Sequence, residues 1–145
     1  MATRAAIDEF LGHKRLALMR LSKNTVVRGV LMDEELRPKG YEVTVVYLDD
    51  STGGPTLSGV KDKVEGVIIA VPKNQAEKAV EAAIAAGIPR IWLQAGSETP
   101  AAIALCEQNQ TAVVSDACVL MYAEPVSSFH KFHRWLWKTF GLLAK

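Results

Sequence analysis

Five short apolar segments alternate with polar and helix-forming sequence along the chain, and this alternation limits the fold more than any other feature. The segments are RLALM (15–19), YEVTVVYL (41–48), GVIIAV (66–71), RIWLQ (90–94) and TAVVS (111–115). Such runs, rich in aliphatic and β-branched residues and bounded by turn residues, predict strands. Strands that alternate with helices predict a doubly wound α/β fold, with one sheet of about five parallel strands and helices on both faces.

The segments between the strands carry helix start and stop signals. Residues 26–36 read as a helix that Pro38 and Gly40 stop. Asn74 is predicted to cap a second helix, with Glu77 completing a capping box, and Gly87 to end it. Thr99-Pro100 opens a third helix, with proline at its first position. The apolar positions expected to face the sheet from the second and third helices are Ala76, Ala79, Val80, Ala83, Ile84, Ala102, Ile103 and Cys106.

Composition narrows the class of protein without defining a function. The chain has 145 residues and a formal net charge of +1, so we expect one core domain over 1–124 and no nucleic-acid partner. Two cysteines are too few for a disulfide framework. The first residues lack the apolar core of a signal peptide, and no apolar run is long enough to span a membrane. We therefore expect a cytoplasmic protein.

Ligands of doubly wound sheets bind outside the carboxyl ends of the strands, at the point where the strand order reverses. The loops after Met19, Val71 and Gln94 are therefore the places where a site is expected. Val71, Pro72 and Lys73 would form one wall of the cleft, and Gln94 and Gly96 another. Lys73 could meet a phosphate, and Gln94 offers both a donor and an acceptor. The simpler interpretation is that all five are ordinary turn residues.

Four motifs together resemble the CoA-binding domain family of small, single-domain proteins with a Rossmann-like fold. The motifs are GYEVTVV (40–46), VEGVIIAVP (64–72), IWLQAG (91–96) and SDAC (115–118). The resemblance implies non-catalytic binding of CoA or acyl-CoA in the cleft at the carboxyl ends of the strands. It also implies that Cys118 corresponds to the family's characteristic cysteine, near the reactive end of a bound CoA.

The turn after the first strand differs from the family pattern, in which a Gly-Ala-Ser-type turn approaches the nucleotide. Arg20 stands at the glycine position and Leu21 at that of a small residue, whereas Ser22 and Asn24 match. Arg20 could bind phosphate as a bidentate cation, or it could block the close backbone approach that glycine permits. Both interpretations remain open. The residues predicted to bind phosphate are Arg20, Leu21, Ser22, Lys23, Asn24 and Arg28.

Two acids after the second strand favour an alternative ligand. Asp49 and Asp50 would repel the 3′-phosphate of CoA but suit the ribose hydroxyls of NAD or another nucleotide. Aspartate is also a common turn residue, which is the simpler explanation. NAD or another nucleotide is therefore the alternative to CoA as a cofactor.

The C-terminal segment SSFHKFHRWLWKTFGLLAK lies beyond the family core. Residues 125–145 form an amphipathic pattern with an aromatic face and a basic face. We expect a helix that packs on the domain or on a twin subunit, giving a homodimer. The rival interpretation is a ligand-free interaction protein that uses this helix, including at a membrane surface.

Metal and catalytic motifs are weak. His130 and His133 are three residues apart, but no second clear pair of ligands accompanies them, and we predict no metal site. The sequence contains no Ser-His-Asp arrangement, Walker motif or obvious carboxylate pair. We therefore predict no catalytic residues and expect a binding protein rather than an enzyme.

Overall fold

A computed structural model of the protein describes residues 3–21, 36–49, 55–94 and 96–117. Five parallel strands form one sheet in the spatial order β2-β1-β3-β4-β5, which confirms the doubly wound prediction. The strands are β1 (Arg15–Arg20), β2 (Glu42–Tyr47), β3 (Gly66–Ile69), β4 (Arg90–Gln94) and β5 (Ala112–Ala117). All five predicted strands are therefore present, with ends that differ from the prediction by up to two residues.

The described helices precede and connect these strands. The α-helices are α1 (Arg4–Leu11), α2 (Leu57–Val60), α3 (Ala76–Ala85) and α4 (Pro100–Gln108). Short 3₁₀-helices span Arg37–Lys39, Lys61–Lys63 and Lys73–Gln75. The helix predicted over 26–36 and the C-terminal helix lie outside the described residues, apart from the buried Leu36.

The two faces of the sheet bury separate apolar clusters, because successive side chains of a strand point to opposite faces. Leu16 and Leu18 of β1 pack with α1 on one face. Ala17 and Met19 pack with α2, α3 and α4 on the other. Helices therefore cover both faces of the sheet. This two-layered burial fixes the strands and leaves their carboxyl ends at one edge, where ligands of such sheets bind.

The start of α3 differs from the prediction. Residues Lys73–Gln75 form a 3₁₀ turn, so Gln75 is the N-cap of the α-helix and makes no capping bond with its side chain. The predicted capping box of Asn74 with Glu77 is therefore wrong. Pro72 has an extended backbone, and its carbonyl accepts a hydrogen bond from the Gln75 N–H (2.9 Å). The turn into the helix therefore begins at Pro72, two residues before the predicted cap Asn74.

The predicted end of α3 and the predicted start of α4 are confirmed. Gly87 has φ +75° after the end of α3, in the left-handed region that favours glycine. The Thr99 hydroxyl accepts a hydrogen bond from the Ala102 N–H (3.0 Å) at the start of α4.

Cys106 of α4 is fully buried, and this burial raises the pKa of its thiol to about 11. A thiol in that state is a core group rather than a nucleophile.

Helix α1 was not predicted, although its sequence carries the signals. The Thr3 hydroxyl accepts a hydrogen bond from the Ala6 N–H and caps the helix. Ile7 and Phe10 are buried at helical spacing. The Phe10 ring meets Trp92 of β4 edge-on, with ring centres 5.3 Å apart and planes inclined by 65°. This aromatic pair anchors α1 to the centre of the sheet.

The amino edge of the sheet carries a network of charged side chains that joins α1 to three strands. His13 Nδ1 lies 2.5 Å from Glu65 Oε2, and His13 Nε2 lies 3.1 Å from Glu9 Oε1. Arg15 Nε donates to Glu65 (2.8 Å), and Arg90 Nε donates to Glu9 (2.8 Å).

The pKa of Glu9 is lowered chiefly by Arg90 and then by His13. The pKa of Glu65 is lowered chiefly by His13 and then by Arg15.

Acid is expected to weaken the fold through this network. A carboxyl group whose pKa is lower in the folded state stabilises the fold above its unfolded pKa, here 4.5, and loses that effect as pH falls through the folded value. The free energy of unfolding, measured by urea denaturation, should therefore decline as the pH is lowered from about 5 towards about 3. Glu65→Gln should flatten this decline, whereas Glu81→Gln, in an exposed position on α3, should not. Equal acid dependence in wild type and Glu65→Gln would contradict the account.

Candidate functional site

The carboxyl ends of the three central strands lie at the same level. Met19 pairs with Ile69, and Ile69 pairs with Leu93. The chain leaves β1 for β2 on one side, and β3 lies on the other, so the strand order reverses between β1 and β3. Ligands of sheets with this arrangement bind at the switch point, beside the loops after the neighbouring strands, here β1, β3 and β4.

The turn after β1 stays joined to the end of β2. The Leu48 N–H donates to the Arg20 carbonyl (2.8 Å), and the Asp49 N–H donates to the Leu21 carbonyl (2.7 Å). The backbone pairing thus continues two residues past Tyr47. It places Asp49, which is exposed, directly beside the turn. Arg20 is half-buried at the switch point, so a cation and an acid lie on adjacent strand ends.

The loop after β4 is tied to the end of β3 by one serine. The buried Ser97 hydroxyl accepts from the Val71 N–H (3.1 Å) and donates to the Val71 carbonyl (2.7 Å). The Ser97 N–H also donates to the Gln94 carbonyl (2.8 Å). Ser97 was not predicted as a site residue, because a serine between glycine and glutamate has the composition of an ordinary turn. The contact makes Val71 and Gln94 parts of one connected wall.

Gly96 is needed for its conformation rather than for close packing. Its φ is +93°, and a side chain added there would meet nothing within 4 Å. The Gly96 N–H donates to Glu98 Oε2 (2.9 Å). An anionic group of the chain itself is therefore bound at this backbone N–H. The predicted role of Gly96 in close approach to a ligand stays a prediction.

The other predicted wall residues occupy the same edge. Pro72 and Lys73 are exposed where the chain leaves β3, and Lys73 begins the 3₁₀ turn. Gln94 is buried at the end of β4, and its backbone pairs with Ala117 at the end of β5. Cys118 follows Ala117 directly in sequence and lies outside the described residues. Lys73 is the positive side chain that this edge presents from the β3 loop.

Several predicted residues lie outside the described part of the chain. They are Ser22, Lys23, Asn24, Arg28, Asp50, Cys118, His130 and His133. Arg20, Leu21, Val71, Pro72, Lys73, Gln94 and Gly96 are described, and all seven lie at the carboxyl edge of the sheet. The structure therefore brings together the described members of the predicted site.

Two cavities lie beside the sheet, outside the residues of the predicted site. One, of about 280 Å³, opens between α2 and α3 and is lined by Met19, Tyr47, Leu48 and Lys61 among others. The other, of about 240 Å³, lies between α1 and β5 and is largely apolar. The first borders the carboxyl ends of β1 and β2, but it includes none of the predicted residues.

The described part of the chain contains neither a cluster of metal-binding side chains nor a helix that could span a membrane. Within 3–21, 36–49, 55–94 and 96–117, no three His, Cys, Asp or Glu side chains gather into a group that could hold a metal ion. None of the helices in those same ranges has the length and apolar character required to cross a bilayer.

The strand order of the parallel sheet, with helices on both of its faces, defines a Rossmann-like α/β protein. Residues 14–124 match the model of the CoA binding domain, so the chain belongs to the CoA-binding domain family. This match confirms the resemblance drawn from the sequence motifs. No curated protein matches the chain at a significant level.

Several solved structures have a similar fold. A hypothetical protein from Pyrococcus horikoshii is 23% identical, with a TM-score of 0.69, and the match covers 86% of this chain and 92% of that one. A conserved hypothetical protein from Pyrococcus furiosus is 23% identical, with a TM-score of 0.61 and coverage of 73% and 96%. A Thermus thermophilus structure is 20% identical, with a TM-score of 0.58 and coverage of 79% and 89%. At these identities the likeness shows the fold alone.

Proposed function

We propose that the protein binds CoA or acyl-CoA, without catalysis, in the cleft at the carboxyl ends of its strands. The family match over residues 14–124 carries this proposal, because it spans all five strands and the loops that follow them. It supports CoA as the ligand class. The cleft itself is inferred from the strand order, since ligands of such sheets bind at the switch point.

The phosphates of CoA would bind at the β1–β3 end of the cleft. Arg20 stands at the switch point, and Lys73 is exposed across it at the exit from β3. A guanidinium forms paired, charge-assisted hydrogen bonds with phosphate oxygens. Lys23 and Arg28 would add positive charge to the same turn. In this account Arg20 replaces, by its charge, the backbone contact that a loop glycine would provide.

The thiol end of CoA would extend along the β3–β4 side. Gln94 ends β4 there and Gly96 follows it, and Cys118 is the next residue in sequence after β5. The wall is neutral at Val71, whose backbone groups bond to Ser97, and it is acidic at Glu98. These features suit an uncharged, amide-bearing arm better than a phosphate.

A thermal-shift titration with CoA tests the proposal. A ligand at 100 times its Kd adds about 2.7 kcal/mol to the free energy of unfolding. For a domain of this size that corresponds to a rise in Tm of roughly 5–10 °C. Dephospho-CoA, which lacks the 3′-phosphate, should give a smaller rise if that phosphate is bound. An unchanged Tm at millimolar CoA would contradict the proposal.

NAD or another nucleotide is the second candidate, and Asp49 favours it. The backbone bond from Asp49 to Leu21 places this acid beside the predicted phosphate turn, where dinucleotide folds hold ribose hydroxyls. In the same titration, a rise in Tm with NAD that Asp49→Asn abolishes, together with no response to CoA, would establish NAD in place of CoA.

A further inference from the structure

We propose that Ser97 is a positioning residue of the cleft, whose hydroxyl holds the end of β3 against the loop after β4. Its effect on a ligand rests on the proposed CoA-binding function. The contact that it makes between the end of β3 and the loop after β4, the two walls of the cleft, does not depend on that function. This contact can be measured without a ligand. No motif in the sequence marks this serine.

The bonding of Ser97 connects two strand ends that are far apart in sequence. Its hydroxyl accepts from the Val71 N–H (3.1 Å) and donates to the Val71 carbonyl (2.7 Å), across 26 residues. Its own N–H donates to the Gln94 carbonyl (2.8 Å). The side chain is buried, with 4% of its surface exposed. The backbone of Ser97 is thus bonded to the end of β4, and its side chain is bonded to Val71, just beyond the end of β3.

This contact lies where the strand pairing stops. The last described pair between β3 and β4 is Ile69 with Leu93, so Val71 and Gln94 lie past the ladder. Parallel strands that are no longer paired can separate, because each backbone group there can bond to water instead. The Ser97 hydroxyl replaces the missing ladder bonds and sets the separation of the two walls.

The same contact decides which groups a ligand can meet. Both backbone groups of Val71 are bonded to Ser97 and are closed to a phosphate. A phosphate at this end of the cleft therefore cannot use the Val71 N–H, and Arg20 and Lys73 are the cations that the described residues place near it. The nearby Thr99 hydroxyl has a different task, since it caps α4 through the Ala102 N–H. The Thr99 hydroxyl therefore does not substitute for the Ser97 hydroxyl in the contact with Val71.

The test compares Ser97→Ala with Ser97→Thr, which keeps the hydroxyl. The first measurement is hydrogen exchange of the Val71 amide in the ligand-free protein. We expect exchange to be about 5–30-fold faster in Ser97→Ala, as the loss of hydrogen bonds worth about 1–2 kcal/mol implies, and near wild type in Ser97→Thr. The second is the Kd for CoA, which should rise by a similar factor in Ser97→Ala and recover in Ser97→Thr.

Ser115→Ala is the matched control, because it removes a hydroxyl from a buried serine of β5, which β4 separates from β3. It should leave Val71 exchange unchanged. If Ser97→Ala does not fold, Ser97→Cys takes its place, since a thiol is only a weak donor and acceptor. Unchanged Val71 exchange, or an unchanged Kd for CoA, in Ser97→Ala or in Ser97→Cys would overturn the proposal. A wild-type protein that binds no CoA would overturn the proposed function, and Val71 exchange would still decide whether Ser97 joins the walls.

Discussion

Replacing Arg20 with alanine is expected to raise the Kd for CoA by about 10–100-fold. Arg20 is half-buried at the end of β1, between β2 and β3, where the strand order reverses. A charge-assisted hydrogen bond contributes about 1.5–3 kcal/mol, and each 1.4 kcal/mol changes Kd about tenfold. Isothermal titration at two salt concentrations measures the effect. Wild-type binding should weaken with added salt more than Arg20→Ala binding does, because salt screens the contribution of this charge.

Arg15→Gln is the matched control, because Arg15 belongs to the same strand but lies at its other end, paired with Glu65. It should leave the Kd for CoA unchanged at a temperature where the protein is folded. Arg20→Gly separates the two roles of the arginine. If Arg20 binds phosphate, the glycine variant binds CoA weakly. Tighter binding by Arg20→Gly would contradict the account, since it would mean that the arginine blocks the backbone approach.

Replacing Trp92 with alanine is expected to lower the free energy of unfolding by about 3–5 kcal/mol. Trp92 is fully buried in β4 and meets Phe10 of α1 edge-on, 5.3 Å between ring centres. The substitution removes the largest fully buried side chain of the described core. It leaves a cavity between α1 and the sheet that the neighbours can fill only in part. Urea denaturation followed by far-ultraviolet circular dichroism measures the loss.

Trp92→Phe keeps an aromatic ring against Phe10 and should cost less than the alanine substitution. An exposed residue of α1, changed in Asp8→Asn, provides a surface control with an expected change within about 0.5 kcal/mol. A loss below about 1 kcal/mol in Trp92→Ala would contradict the packing of α1 on the sheet, because the cost of an alanine at a buried aromatic position depends on how closely the neighbouring side chains pack against the ring.

The fold could be predicted because its signals are local. Each strand is a run of apolar residues, and α4 begins at a Thr-Pro pair whose threonine caps it. The prediction failed where tertiary contacts set the geometry. The third strand was expected to reach Val71 but ends at Ile69, since Val71 bonds to Ser97 instead of continuing the ladder. Helix α1 was recognisable from Thr3 and the spacing of its buried residues, and its omission was an error of interpretation.

The position of the candidate residues at the carboxyl edge of the sheet was predictable, but the contacts around them were not. The strand pattern alone locates the carboxyl edge, so Arg20, Lys73 and Gln94 could be chosen from their position after a strand. Nothing local marks Ser97 or the charged network at the amino edge. Glu9, Glu65 and Arg90 come from separate parts of the chain, and only folding brings their charges together. Pairings across the sheet of this kind have no signature in a single sequence.

The central claim is that CoA binds at the carboxyl edge of the sheet. Amide chemical-shift mapping of the labelled protein during a CoA titration tests it most directly. We expect saturable shifts at Leu21, Lys73 and Gly96, and little change at His13 or Glu65 on the opposite edge. Shifts confined to the amino edge or to the cavity between α1 and β5, or no shifts at millimolar CoA, would contradict it.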